Sequence, residues 1–276
     1  MNESTPSTLS EPHRDFLRGA SEALRADPRI VGVAIGGSYL SNTMDEHSDV
    51  DLIVVTEPDA YSAVMTERDR IARSLGPLLA SFTGEHVGEP RLLICLYGPP
   101  LLHVDLKFTS MSDFAPRRVE DPAVLWERDG RLTGALQEGH AVYPAPNLAW
   151  IEERFWVWIH YAAGKVARGE LFEVVDFISF LRVNVLGPLC LLRSGARPAG
   201  VRRIETYAPE LVEQLKQTVA SHDVDSCLRA LRACIELYRS VRVPPGGVIT
   251  VEAVESAVVD YLDEIERRCG QARAGS

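Results

Sequence analysis

Residues 35 to 51 read Ile35-Gly-Gly-Ser-Tyr-Leu-Ser-Asn-Thr-Met-Asp-Glu-His-Ser-Asp-Val-Asp51, and this stretch decides the fold. The apolar run Ile30 to Ile35 ends in Gly36-Gly37-Ser38, and Ser48-Asp49-Val50-Asp51 opens a second apolar run, Leu52 to Val55. Each run predicts a buried strand. Side chains alternate across a strand, so Asp49 and Asp51 project from one face with their Cα atoms roughly 7 Å apart. Two carboxylates held that close repel each other unless one is protonated or a cation lies between them. The preceding turn favours the cation. A Gly-Gly turn lets backbone N–H groups crowd against phosphate oxygens, and a short helix opening after it favours anions. A phosphate cradle beside a carboxylate pair is the expectation.

A third carboxylate sharpens it. In Leu101-Leu-His-Val-Asp-Leu-Lys-Phe108, the residues Leu102, Val104, Leu106 and Phe108 point one way, and His103, Asp105 and Lys107 the other. If this strand pairs beside the one carrying Asp49 and Asp51, three acids converge. Mg²⁺ takes oxygen ligands, usually a few carboxylates together with substrate phosphates. Such a site can clamp the attacking and leaving oxygens of an in-line phosphoryl or nucleotidyl displacement.

Outward from these strands the chain reads as α+β: an N-terminal mixed β-sheet domain with flanking helices, then an all-α helical bundle. Phe16, Ala20, Ala23 and Leu24 predict an amphipathic helix over 11–26, stopped by Asp27-Pro28. A second helix runs from Tyr61 to Leu75 after Glu57-Pro58-Asp59 and ends at Gly76-Pro77. Leu78–Phe82, Arg91–Tyr97 and Leu101–Phe108 predict further strands, the last two a hairpin through Gly98-Pro99-Pro100. Residues 111–148 are irregular and read as a crossing segment. Helical segments follow at about 149–168, 170–193, 208–240 with a break near 221–224, and 250–269. The expected domains are a disordered tail at 1–10, a catalytic domain at 11–140 and a helical bundle at 148–270.

Composition sets outer limits. The 276 residues, 46% hydrophobic and 25% charged, suffice for one large or two modest cores. Lys and Arg number 29 against 39 Asp and Glu, a formal charge of −10. That balance argues against a long polynucleotide partner and suits a cationic small substrate, although many cytosolic proteins are acidic. Five scattered cysteines without a C-x-x-C pair indicate neither a disulfide framework nor a zinc site, which fits a reducing cytoplasm. Residues 1–10 have no apolar core of a signal peptide, and no 18-residue apolar stretch is expected to span a membrane.

Gly37-Ser38, Asp49-Val50-Asp51 about a dozen residues on, and Asp105 in a later strand together resemble the signature of the nucleotidyltransferase superfamily with the DNA polymerase β-like fold. Within it the chain looks most like the stand-alone aminoglycoside adenylyltransferases. The resemblance implies that Gly37 and Ser38 bind nucleotide phosphates, and that Asp49 and Asp51 bind the metals, two Mg²⁺ ions. It further implies that Asp105 completes the site, either as a metal ligand or as the acceptor of the substrate hydroxyl's proton. The implied reaction transfers a nucleoside monophosphate, AMP from ATP, to a hydroxyl of a small molecule, an antibiotic in the resistance enzymes. In that family a Lys on the first helix of the second domain reaches the phosphates; Lys165, in Tyr-Ala-Ala-Gly-Lys, looks like its equivalent. Some members carry a catalytic Glu four residues earlier, where this chain has Tyr161, a departure. The helical bundle is implied to close over the nucleotide and shape the acceptor pocket.

Two other readings share this fold: a nucleotidyltransferase acting on protein or RNA, as in a toxin–antitoxin pair, and a non-catalytic nucleotide-binding module. The acidic balance weighs against RNA, and the presence of all three acids weighs against loss of catalysis. If a separate general base exists, Glu85, Glu89, Glu170 and Glu173 are the candidates. Ser38 lacks a base-and-orienter arrangement in the nearby sequence and reads as a phosphate-binding hydroxyl rather than a nucleophile. Arg117-Arg118 and Arg202-Arg203 read as solvated loop charges. His103 reads as a packing or hydrogen-bonding residue rather than a metal ligand, and Lys107 either neutralises the acids or touches phosphate, or else forms a salt bridge.

Overall fold

The computed structural model describes residues 8–242 and 252–274. The chain divides into two compact units, Met1–Pro144 and Ala145–Ser276. The layout is α+β, a mixed sheet with flanking helices in the first unit and helices alone in the second.

The first unit holds α1 (Glu11–Ala26), β1 (Ile30–Ile35), β2 (Val50–Thr56), α2 (Tyr61–Ser74), β3 (Leu78–Gly84), β4 (Glu89–Tyr97), β5 (Leu102–Ser110), α3 (Met111–Phe114), β6 (Ala123–Glu127) and α4 (Arg131–Gln137). The strands form one sheet in the order β3-β4-β5-β2-β1-β6. Only β2 and β5 pair in parallel; the other neighbours are antiparallel. The two faces differ. On one, Val33, Val50, Leu52, Val54, Val104, Leu106 and Phe108 pack with α1 and α2 residues such as Leu17, Ala20, Leu24, Val64 and Ile71. On the other, Val31, Ala34 and Val55 pack with Phe114 and Leu132, from α3 and α4. Alternation along β2 and β5 therefore turns Asp51 and Asp105 away from the larger core, toward the thinly covered face.

Part of the segment read as irregular is ordered. Ala123–Glu127 is an edge strand on β1, and α4 follows Asp129-Gly130. The run Ala123-Val-Leu-Trp126 is too short for its period to separate strand from connection, and the pairing with β1 decides it. Residues 1–7 of the expected tail lie outside the described residues. Leu9, at its end, is buried in the core.

The second unit comprises α5 (Leu148–Ala167), α6 (Leu171–Leu181), a π-helical turn (Arg182–Leu186), α7 (Gly187–Arg193), α8 (Ile204–Tyr207), α9 (Val212–Gln217), α10 (Val224–Val241) and α11 (Glu252–Ala274). Asn147 caps α5 by accepting from Trp150 N at 3.0 Å, and Asp223 caps α10 by accepting from Ser226 N at 2.9 Å. Phe155 stacks on Tyr238 with centroids 3.7 Å apart, beside the buried Trp156. Glu152 is buried but satisfied, accepting from the Tyr238 hydroxyl and from Arg242 Nη1 at 3.2 Å. The expected 208–240 helix is broken earlier than read, at Thr218 to Asp223, and begins as short pieces because Pro209 interrupts it. Positions 250 and 251 of the last expected helix lie outside the described residues.

The expectation that no stretch is long and apolar enough to span a membrane is corrected. Leu171–Arg193 reaches a mean hydropathy of 1.7 over an 18-residue window, 56% of it buried. Ile178, Leu181, Val185, Leu189 and Cys190 of that helix belong to the core of the bundle, which accounts for the composition.

Candidate functional site

The parallel pairing of β2 with β5 sets Asp51 directly beside Asp105. Asp49, two residues upstream, shares the face of Asp51. Each of the three offers one carboxylate oxygen, and these oxygens lie within 4.8 Å of one another. All three residues are partly buried. Hard oxygen donors in this number are the set that Mg²⁺ takes from protein, with its remaining positions left to water and phosphate. His103, on the same face, hydrogen-bonds Asp105 Oδ1 through Nε2 at 3.1 Å and so orients that carboxylate.

The glycine turn packs against these acids. Gly36 N donates to the Asp51 carbonyl at 3.0 Å, closing the turn on β2. Gly37 has φ +63°, and a Cβ there would lie 2.0 Å from Asp51 Oδ2. Only glycine fits. The short 3₁₀ turn Gly37–Tyr39 follows. The Ser38 hydroxyl is buried and has no hydrogen-bond partner among the described residues. Leaving such a group unpaired costs about 1–3 kcal/mol, which suits a hydroxyl whose partner is an incoming oxygen.

Glu120 enters the site unforeseen. Gly37 N donates to Glu120 Oε1 at 3.1 Å. A Cβ at position 36 would stand 2.5 Å from that same oxygen. A carboxylate thus rests on the glycine pair as a phosphate oxygen is expected to, and the cradle fits an anion. No sequence signal placed it there, since 83 residues separate the partners.

A cavity of about 590 Å³ opens beside the acids, with Asp51, Asp105, Glu89, Lys107, Arg117 and Glu120 in its lining. Lys107 is salt-bridged to Glu89 at 2.9 Å, the plainest of the roles expected for it. Arg91 grips the same carboxylate through two bonds of 2.7 Å. These bonds, that from Arg91 foremost, hold the Glu89 carboxyl down at about 2 against the opposing effect of burial. A group so held is a poor proton acceptor near neutral pH, which weakens Glu89 as a base. Glu85 accepts from the Thr83 hydroxyl.

One more residue departs from the sequence reading, and another was not foreseen by it. Arg118 is not a solvated loop charge: its side chain is 9% exposed and pairs with Asp121. It also donates to the carbonyls of Ala115 at 3.1 Å and Leu136 at 2.8 Å. His13, buried on α1, binds the Ser48 carbonyl through Nε2 at 2.7 Å and Ser10 Oγ through Nδ1 at 2.5 Å. A carbonyl only accepts, so Nε2 carries the proton. His13 thereby fixes the peptide entering Asp49.

In the second unit, Lys165 is engaged by carboxylates. Its Nζ lies 2.6 Å from Glu170 Oε2 and 2.9 Å from Glu173 Oε2, and over the Tyr161 ring at 5.3 Å. The Tyr161 hydroxyl donates to Glu173. The bond with Glu170, then that with Glu173, raises the Lys165 ammonium above its ordinary value. The Glu173 carboxyl is held low by the Tyr161 hydroxyl first, then by Lys165. Glu170 and Glu173 thus serve as ion-pair partners here.

Residues 17–87 match the family described as a nucleotidyltransferase domain. That span runs from α1 through the turn after β3 and contains Gly37, Ser38, Asp49 and Asp51, while Asp105 lies beyond it. The match, together with the sheet carrying these residues, supports a nucleotidyltransferase fold for the first unit. No curated protein matches the chain. Among solved structures, the chain is similar to a nucleotidyltransferase-like protein from Exiguobacterium sibiricum, at 15% identity over 82% of this chain and 74% of that one, TM-score 0.39. It is also similar to spectinomycin adenyltransferase from Enterococcus faecialis, solved with ATP and spectinomycin, at 12% identity over 92% and 99%, TM-score 0.29.

Proposed function

We propose that the protein is a Mg²⁺-dependent nucleotidyltransferase that moves a nucleoside monophosphate, AMP from ATP, to a hydroxyl of a small acceptor. The observation that carries this reading is the gathering of three carboxylate oxygens within 4.8 Å beside the glycine turn. Like charges gather at a cost, and a divalent cation at that point removes it.

In this reading Asp49 and Asp51 hold the ions, and Asp105 shares them. When bound, Mg²⁺ neutralises charge on the triphosphate and lowers the effective pKa of the acceptor hydroxyl. The Gly37 amide and the Ser38 hydroxyl bind the outer phosphates, which sets the α-phosphorus in line with the acceptor. The acceptor oxygen forms the new bond to the α-phosphorus as its proton passes to Asp105. The bond to the bridging oxygen breaks, and pyrophosphate departs. His103 keeps the Asp105 carboxylate oriented for that transfer by donating to it from Nε2. Lys165 is proposed to meet phosphate only by exchanging Glu170 and Glu173 for it. The formal charge of −10 favours a cationic acceptor of the aminoglycoside kind.

The test is pyrophosphate release from ATP with Mg²⁺, screened over aminoglycosides, lincosamides and a blank, for wild type and Asp51→Asn. Expected is acceptor-dependent release that needs Mg²⁺ and falls by at least about 10²-fold in the variant. Release that survives Asp51→Asn would remove the role given to that residue. A parallel incubation of lysate with labelled ATP would favour the macromolecular reading if label entered protein or RNA.

A further inference from the structure

The turn expected to receive phosphate already carries an anion from within the chain. Glu120 Oε1 accepts from Gly37 N at 3.1 Å, and only the missing side chain of Gly36 admits it so closely. Glu120 is partly buried. It stands in the connection from α3 to β6, flanked by Pro116 and Pro122. Arg118 anchors that connection to the carbonyls of Ala115 and Leu136 and to Asp121. The segment is therefore tied down on the side of the sheet where the aspartates open, with Glu120 lining the same cavity.

We infer that Glu120 is a specificity-determining residue of the nucleotide seat, withholding the Gly37 amide from anions that arrive without a divalent cation and yielding it to a metal-loaded triphosphate. The inference rests on the nucleotide reading given above. A bare phosphate that displaces Glu120 exchanges one charged acceptor for another on the same N–H, so the bond itself yields no net gain. It must also bring its charge up to Asp49, Asp51, Asp105 and the displaced carboxylate, while Lys107 and Arg91 in the same cavity are engaged by Glu89. A triphosphate with its cations meets the opposite field, because positive charge arrives where three of those acids converge. The glutamate thus adds a barrier that metal-free anions cannot offset. One unit charge at this range, partly screened by solvent, is worth on the order of tenfold in affinity.

Calorimetric titration of the full chain separates the cases. The probes are ATP with chelator, inorganic tripolyphosphate with chelator, and ATP with Mg²⁺; the proteins are wild type, Glu120→Gln, Glu120→Ala and Asp51→Asn. Expected for both Glu120 variants is metal-free ATP and tripolyphosphate binding on the order of tenfold tighter than wild type, with a smaller gain for MgATP. Alanine also removes the competing acceptor, so it covers the case in which glutamine still occupies Gly37. Metal-free binding that is unchanged or weaker in both variants overturns the inference. If wild type binds MgATP and Asp51→Asn loses it while the Glu120 variants match wild type, this inference alone falls. If wild type binds no MgATP at all, the nucleotide reading falls and takes this one with it.

Discussion

Two clusters of charge, one in each unit, illustrate how differently ionised groups can be arranged. Asp49, Asp51 and Asp105 bring like charges together from separate strands, with ligand oxygens within 4.8 Å. Lys165, Glu170, Glu173 and Tyr161 bring opposite charges together over a short span of chain, with N···O distances of 2.6 and 2.9 Å. The second cluster satisfies itself. The first gathers like charges, a repulsion that a cation supplied from outside would offset. The sequence reading gave Lys165 a phosphate to meet and the aspartates a metal; the structure separates the two clusters by sign, opposite charges around Lys165 and like charges among the aspartates.

The largest expected effect falls on the aspartates. Asp105→Asn should lower nucleotidyl transfer by about 10³-fold or more, in the range seen when a group acting directly on the transition state is removed. The same change should make the metal-free protein more stable, by on the order of 1 kcal/mol, because one of three repelling charges is gone. Urea unfolding in chelator measures it, and a loss of stability would mean that the cluster is matched as the Lys165 cluster is.

His13 comes next. His13→Ala breaks bonds to Ser10 and to the Ser48 carbonyl in a buried position, and should cost about 1–3 kcal/mol. If His13 positions Asp49, the concentration of Mg²⁺ for half-maximal activity should also rise, with the KM for acceptor unchanged. A stability loss with unaltered Mg²⁺ dependence would reduce His13 to a packing role.

Lys165→Ala sharpens the comparison from the other side. If Lys165 serves its two carboxylates alone, melting temperature falls slightly and the KM for ATP stays put. A rise of about tenfold in that KM, with kcat little changed, would restore the phosphate role that the resemblance implies.

The smallest effect is on acid stability. Glu89 titrates at about 2 in the folded protein against an ordinary 4.5, held there by Arg91 first and Lys107 after. Its depressed value contributes stability that is fully present above about 4.5 and is lost as pH falls through about 2. Glu89→Gln should flatten the stability-against-pH curve between about 2 and 4.5 and lower the plateau above about pH 5 by a constant amount, without changing its slope.

What was legible in the sequence was what local pattern encodes. Alternation in Val50–Thr56 and Leu102–Ser110 assigned Asp51 and Asp105 to one face of each strand, and strand pairing then brought them side by side. Gly37 was legible as part of a Gly-Gly turn between two apolar runs, and the structure adds that Asp51 leaves no room for a side chain there. Glu120 and His13 were not, for a physical reason: each reaches the site across 83 or 35 residues from an element with no motif of its own. The same holds for Arg118, whose burial depends on carbonyls that a distant helix end presents. The β6 strand was missed because five residues are too few for a period, and its partner β1 lies far earlier in the chain, Gly32 opposite Glu127.

The shared metal site is tested most directly by thermal melting of the nucleotide-free chain as MgCl₂ is raised, for wild type beside Asp51→Asn. Binding to the folded state alone stabilises by about 2.7 kcal/mol when the ion stands 100-fold above its Kd, so the wild-type melting temperature should climb with Mg²⁺ while the variant's stays nearly flat. A flat wild-type curve, or an equal climb in both proteins, would contradict a Mg²⁺ site held by these three aspartates.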